Sequence, residues 1–258
     1  MKKLMFLLVG SLLAGSAVAA IKTETVEYSA PDGTVMEGYL AYDDEKKTPQ
    51  PGILITHDWM GLGQFTKEKA EQLAKQGYVA FAVDIYGKGI RPKDSKEAGE
   101  WATKYKNDRP LLRQRMRAAY DKLVAMKSVN PQKVLVMGYC FGGIAALELA
   151  RSGAPLVGTV SFHGGLSSPT PDDAKNIKGS VLVLHGADDP TVPPAEVEAF
   201  KEEMKKAGVN LKFIAYPGAV HAFTNPAAGN DNSKGAAYNE KADKASWEEF
   251  QKFLKEVF

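Results

Sequence analysis

Six short, nearly continuous apolar runs constrain this chain more than any other feature of its sequence. They are Gly52–Thr56, Val79–Val83, Val134–Gly138, Gly158–Phe162, Val181–His185 and Leu211–Tyr216. Runs of this length, without polar alternation, suit parallel strands covered on both faces. Helical periodicity lies between most of them. Leu112, Met116, Ala119, Tyr120, Leu123 and Met126 share one helical face, as do Val197, Phe200 and Met204. Phe250, Phe253, Leu254 and Val257 repeat the pattern at the end. Strand–helix alternation of this kind predicts a doubly wound, mostly parallel α/β sheet with right-handed crossovers. Ahead of it, Thr23–Tyr28 and Thr34–Ala41 flank Pro31-Asp32-Gly33 and read as an antiparallel hairpin. In open α/β sheets ligands bind at the carboxyl ends of the strands, so function is sought there.

The first twenty residues read as an address. Lys2 and Lys3 precede the apolar Leu4–Leu13, and Ala17-Val18-Ala19 supplies a cleavage site. The apolar run falls short of the roughly 20 residues that a membrane span needs. A cleaved signal peptide over 1–20 is expected, giving a periplasmic or secreted protein with no membrane attachment. Residues 21–258 then form a single α/β domain. The 33 Lys and Arg face 31 Asp and Glu, and loss of Lys2 and Lys3 balances the signs. Balanced charge with no basic stripe excludes the usual nucleic-acid binder. An exported chain with one cysteine has no internal disulfide, so the neighbours of Cys140 decide what that thiol is for.

Those neighbours are Val134-Leu135-Val136-Met137-Gly138-Tyr139-Cys140-Phe141-Gly142-Gly143. A strand runs through G-x-C-x-G into a helix, the nucleophile elbow with Cys in place of the usual Ser. A buried structural thiol is the plain alternative, but the strand-before, helix-after context favours a nucleophile. The helix N-terminus favours thiolate, and the Phe141 N–H is one expected oxyanion donor. The second donor is expected from the loop His57-Asp58-Trp59-Met60-Gly61. In the chain order nucleophile, acid, histidine, the H-G-x-x-D-x-x-V-P spacing at His185–Pro193 selects Asp189 over Asp188. His221, just past the last strand, is the expected base. His185 reads as a structural histidine that ties the acid loop by hydrogen bonds. His57 and His163 fall at strand ends and, with Tyr86 and Phe223, are candidates to line the pocket. No H-E-x-x-H or paired His/Cys spacing points to a metal, and the chemistry needs no cofactor.

With these residues in place, the chain resembles the dienelactone hydrolase family of α/β-hydrolases over nearly all of its mature length. Gly138-Tyr139-Cys140-Phe141-Gly142-Gly143 resembles the family's G-Y-C-x-G-G elbow, and Asp84-Ile85-Tyr86 its D-x-Y. Asp189 and His221 match its acid and histidine, and Thr56–Gly61 the loop after its third strand. The resemblance implies Cys-His-Asp hydrolysis of a small ester or lactone, of carboxymethylenebutenolidase type. It also implies that Trp59 gives the second oxyanion N–H, and that Asp58 stands where members carry a thiol-controlling glutamate. The arginines that clamp a substrate carboxylate have no counterpart in Ala222-Phe223-Thr224-Asn225, and Lys88, Arg91 and Arg109 do not align with them. A peptidase or acyl-aminoacyl hydrolase on the same fold, and a non-catalytic reactive-thiol protein, are the competing expectations.

Overall fold

The computed structural model describes residues 21–258; the segment 1–20, expected to be a signal peptide, lies outside them. The strands are β1 (Ile21–Ser29), β2 (Val35–Asp43), β3 (Gln50–Thr56), β4 (Val79–Val83), β5 (Val129–Tyr139), β6 (Gly158–Phe162), β7 (Ser180–Gly186) and β8 (Leu211–Tyr216). The helices are α1 (Gln64–Ala74), α2 (Ser95–Asn107), α3 (Arg109–Val124), α4 (Phe141–Arg151), α5 (Pro194–Lys206) and α6 (Glu240–Val257). Among the described residues, no helix is long and apolar enough to cross a membrane.

One eight-stranded sheet forms in the order β1-β2-β4-β3-β5-β6-β7-β8. β1 and β2 are the antiparallel hairpin, in register from Ile21↔Asp43 to Ser29↔Val35, and β2 meets β4 antiparallel. All pairings from β4 to β8 are parallel. Its turn is set by Asp32, whose Oδ1 accepts from the Thr34 N–H, and by Gly33 at φ 82°.

The continuous apolar runs are continuous because each strand feeds two cores. Ile53, Ile55, Leu135 and Met137 pack beneath α1 and α6, against Leu73, Phe250 and Leu254. Leu54, Val134 and Val136, one residue out of phase, meet α3 and α4 through Leu112, Met116, Leu123 and Ala145. α5 extends that second face, with Val197, Phe200 and Met204 against Val181 and Val183.

Two helices carry little periodic signal. α1 buries Thr66, Ala70, Leu73 and Ala74, and α2 buries Ala98, Ala102 and Tyr105. Small side chains let a helix lie close to its neighbour without producing a strong apolar stripe. α2 starts on an Asp94 cap, whose side chain accepts from the Glu97 N–H, and α3 on an Asp108 cap.

Candidate active site

The elbow is dictated by the absence of side chains. Cys140 caps α4 at φ 54° and ψ −118°, a region costly for a residue with a Cβ. A Cβ on Gly138 would stand 1.9 Å from Thr56 Oγ1 and 2.1 Å from the Gly142 carbonyl oxygen. One on Gly142 would meet the carbonyls of Thr56 and His57 at 2.5 and 2.6 Å. α4 can therefore leave β5 only where both flanking residues are glycine. The Cys140 N–H donates to the Phe162 carbonyl at 3.0 Å and holds the turn.

Three elements bring the other polar groups to the thiol. The Cys140 Sγ lies 3.0 Å from His221 Nε2, and His221 Nδ1 donates to Asp189 Oδ2 at 2.8 Å. Asp189 is buried, and its Oδ1 accepts from the Thr191 N–H at 2.8 Å and the Thr191 hydroxyl at 2.7 Å. Burial opposes charge on His221, but the hydrogen bonds to Asp189 and Cys140, with their charges, outweigh it and push its pKa up to about 10. Burial likewise opposes ionisation of Asp189. Its bond to His221, the charge there and the Thr191 donors nevertheless hold the carboxyl below the ordinary range. The arrangement is a preformed relay from a carboxylate through an imidazole to a thiol.

The backbone around the relay is strained and then pinned. Cys140, His163 (φ 41°) and Ala222 (φ 58°) are the non-glycine residues with positive φ among the described residues, and all three sit here. The His221 N–H donates to the Gly235 carbonyl at 3.2 Å, and the Ala237 N–H to the His221 carbonyl at 3.0 Å. An excursion from Ala222 to Asn239 thus returns to brace His221. Asp188 is exposed, and its Oδ2 accepts from the Gly218 N–H at 3.1 Å. It supports the approach to His221 without touching it.

The relay opens on a cavity of about 660 Å³. Asp58, Trp59, Cys140, Phe141, His163 and His221 line it, with Phe65 and Ile144 on its apolar side. Residues 222–239 contribute Ala227, Ala228 and Ala236, and α2 contributes Ser95 and Lys106. Trp59, in the wall, and its neighbour Met60 are more than a third exposed.

Several expectations about this site are corrected. His57, Tyr86 and Phe223 do not line the cavity; each is buried behind it. His57 Nδ1 donates to the Asp58 carbonyl, Tyr86 donates to the Trp59 carbonyl at 2.9 Å, and Phe223 packs edge-on to His163. A strand-end position does not specify which way a side chain turns. His185 packs against Phe213, and its Nδ1 has no hydrogen-bond partner among the described residues, so it does not tie the acid loop as expected. The Asp58 carboxylate lies in the wall, where its Oδ1 accepts from the Met60 N–H at 2.8 Å. Of the three cations considered, Lys88 pairs with Glu27, Arg91 lies 3.8 Å from Asp84, and buried Arg109 reaches the Ser167 carbonyl. None faces the cavity; the lysine that does, Lys106, sits on α2 and was not anticipated.

The dienelactone hydrolase family model matches residues 36–258. The chain belongs to the dienelactone hydrolase family. It is 37% identical to the solved structure of m3DLH, with a TM-score of 0.88, covering 93% of this chain and 99% of that one. P91, a dienelactone hydrolase-like promiscuous phosphotriesterase from metagenomic libraries, is 36% identical with a TM-score of 0.87, covering 93% and 99%. Protein usf of Aquifex pyrophilus is 32% identical over 199 residues, 75% of this chain and 84% of the relative. The matched region of this dienelactone hydrolase-family member takes in the elbow, the acid loop and the histidine loop.

Proposed function

We propose that this family member hydrolyses ester or lactone bonds, with Cys140 as nucleophile, His221 as base and Asp189 as the acid that orients it. The observation that carries this reading is the unbroken hydrogen-bonded chain, 3.0 and 2.8 Å long in its two links, opening on the cavity. Asp189 holds the proton on His221 Nδ1, which leaves Nε2 to take the thiol proton. The thiolate attacks the carbonyl carbon, and the N–H groups of Phe141 and Trp59 receive the developing oxyanion. Collapse expels the alcohol with a proton from His221, and His221 then activates water against the thioester. Thiolate attack suits esters, enol lactones and thioesters. Amides are poorer substrates, because the thiol leaves more readily than the amine. Lys106 supports a substrate carrying a negative charge, being the lysine or arginine among the cavity-lining residues. Turnover of p-nitrophenyl acetate that depends on Cys140, with little turnover of p-nitroanilides, is the expected result. Comparable anilide turnover would indicate a peptidase, and alkylation of Cys140 without any turnover a reactive-thiol protein.

Asp58 lines the same cavity as the thiol, and in this scheme its charge restrains the sulfur. A carboxylate there opposes a second negative charge on sulfur. Asp58→Asn keeps an acceptor for the Met60 N–H while removing the charge, so the turn survives. Iodoacetamide should then alkylate Cys140 several-fold faster at neutral pH, while ester turnover slows. An unchanged alkylation rate between pH 5 and 9 would reduce Asp58 to a turn former.

The proposal extends to export. The motif Ala17-Val18-Ala19 behind Leu4–Leu13 supports cleavage by a signal peptidase. Mass spectrometry of the protein from its native host should find a chain beginning at Ala20 or Ile21. An intact Met1 on protein from the cell envelope would overturn this.

A further inference from the structure

The peptide between Asp58 and Trp59 carries more hydrogen bonding than a surface turn requires. Its carbonyl, that of Asp58, accepts from His57 Nδ1 at 2.6 Å and from the Gly61 N–H at 3.2 Å. The His57 ring is buried, and its Nε2 accepts from the Ile85 N–H at 3.2 Å. An imidazolium has no lone pair for that N–H, so the ring is neutral with its proton on Nδ1. Burial favours the same neutral form. The next carbonyl, that of Trp59, accepts from the Tyr86 hydroxyl. Tyr86 is itself fixed, since its N–H and that of Gly87 both donate to Asp84 Oδ1 at 3.1 and 3.2 Å. The two side chains that grip these carbonyls, His57 and Tyr86, lie behind the cavity wall.

In a trans peptide the C=O and N–H point in opposite directions. Donors gathered on the Asp58 carbonyl therefore turn the Trp59 N–H away from His57. They also polarise the shared amide, which increases the positive charge on that hydrogen.

We propose that His57 is a positioning residue for the oxyanion hole, its Nδ1–H fixing and polarising the Asp58–Trp59 peptide whose N–H meets the oxyanion formed at Cys140. The inference rests on the acyl-transfer reading above. It separates His57 from the triad, because His57 acts on the transition state without touching thiol, substrate or water.

Two isosteres divide the ring's functions. His57→Asn retains a donor near the Nδ1 position and loses the contact with Ile85; His57→Gln retains a polar group near Nε2 and loses the donor to Asp58. H57Q should lower kcat for p-nitrophenyl acetate by about 10- to 100-fold with KM near wild type, the range expected for a weakened oxyanion donor. H57N should stay within a few-fold of wild type. A second measurement needs no turnover: reversible addition of butyraldehyde to Cys140. The S–C bond forms, the carbonyl π pair moves to oxygen, and the thiol proton is held by His221. Affinity for the aldehyde should fall at least tenfold in H57Q and little in H57N. Alkylation by iodoacetamide displaces iodide and creates no oxyanion, so its rate should match wild type in both variants. Equal losses in H57N and H57Q, or an alkylation rate that falls with turnover, would overturn the role. Should the wild type bind aldehyde but cleave no ester, the acyl-transfer reading fails and the aldehyde series alone decides for His57.

Discussion

Cys140→Ala and His221→Ala each lower ester turnover by roughly 10⁴-fold or more, and the double variant falls barely further. The expectation follows from the relay, in which thiol and carboxylate bind opposite nitrogens of one imidazole. Without the thiol the imidazole has no nucleophile to activate, and without the imidazole the thiol has no base. Asp189→Asn is severe for a related reason. Its oxygen accepts from His221 Nδ1, and an amide nitrogen in that place selects the wrong tautomer, a change that costs on the order of 10⁴-fold in an analogous triad. Asp188→Asn stays near wild type, because Asp188 meets the Gly218 N–H and not the imidazole. kcat/KM for p-nitrophenyl acetate across the five proteins, with circular dichroism to show folding, checks the set. Losses that multiply in the double variant, or a severe Asp188→Asn, would break the shared mechanism.

The second large effect is on stability. Glu148, fully buried on α4, accepts from Arg113 Nε at 2.7 Å and from Arg151 Nη1 at 3.1 Å. Arg151, equally buried, also binds Glu203 through two nitrogens at 2.8 and 3.0 Å and the Leu166 carbonyl at 3.1 Å. The network joins the elbow helix to α3 and α5 and to the strand-end loop after His163. Glu148→Ala leaves Arg151 to Glu203 and Arg113 to Asp173, and removes the buried carboxylate that the two guanidinium groups share. Breaking a buried ion pair from one side costs about 3–5 kcal/mol. For a chain of this size that corresponds to a fall in Tm of roughly 10 °C. Thermal denaturation at neutral pH measures it, and a shift under about 2 °C would show that the cluster is dispensable. Arg113→Ala should cost less, since Arg113 is partly exposed and Arg151 still meets Glu148.

What was legible in the sequence was whatever depends on neighbours in the chain. The six apolar runs fall within strands β3 to β8, because a strand covered on both faces needs apolar residues at every position. The elbow was legible because its constraint is steric and local: Gly138 and Gly142 leave no room for a side chain. Asp189 and His221 were readable from order and spacing, and the structure brings both to Cys140. Less visible was anything carried by small residues or by direction. The buried alanines of α1 and α2 hid two helices, and with α2 the Ser95 and Lys106 that reach the cavity. His57 and Tyr86 follow the right strand ends and Phe223 follows His221, but all three turn inward, where packing and carbonyl partners hold them. The alanines at 227, 228 and 236 had no signal at all, since their place depends on hydrogen bonds made many residues away.

The excursion from Ala222 to Asn239 has a consequence for how this protein can diversify. One stretch of backbone both walls the cavity and supplies the partners that pin His221, at Gly235 and Ala237. Loop swapping, which retunes many scaffolds, would here displace His221 along with the wall. Single side-chain replacements at Ala227 or Ala228 change the wall and leave those anchors in place. New substrates should therefore be gained in this lineage by point substitution, with the length of the segment inherited unchanged.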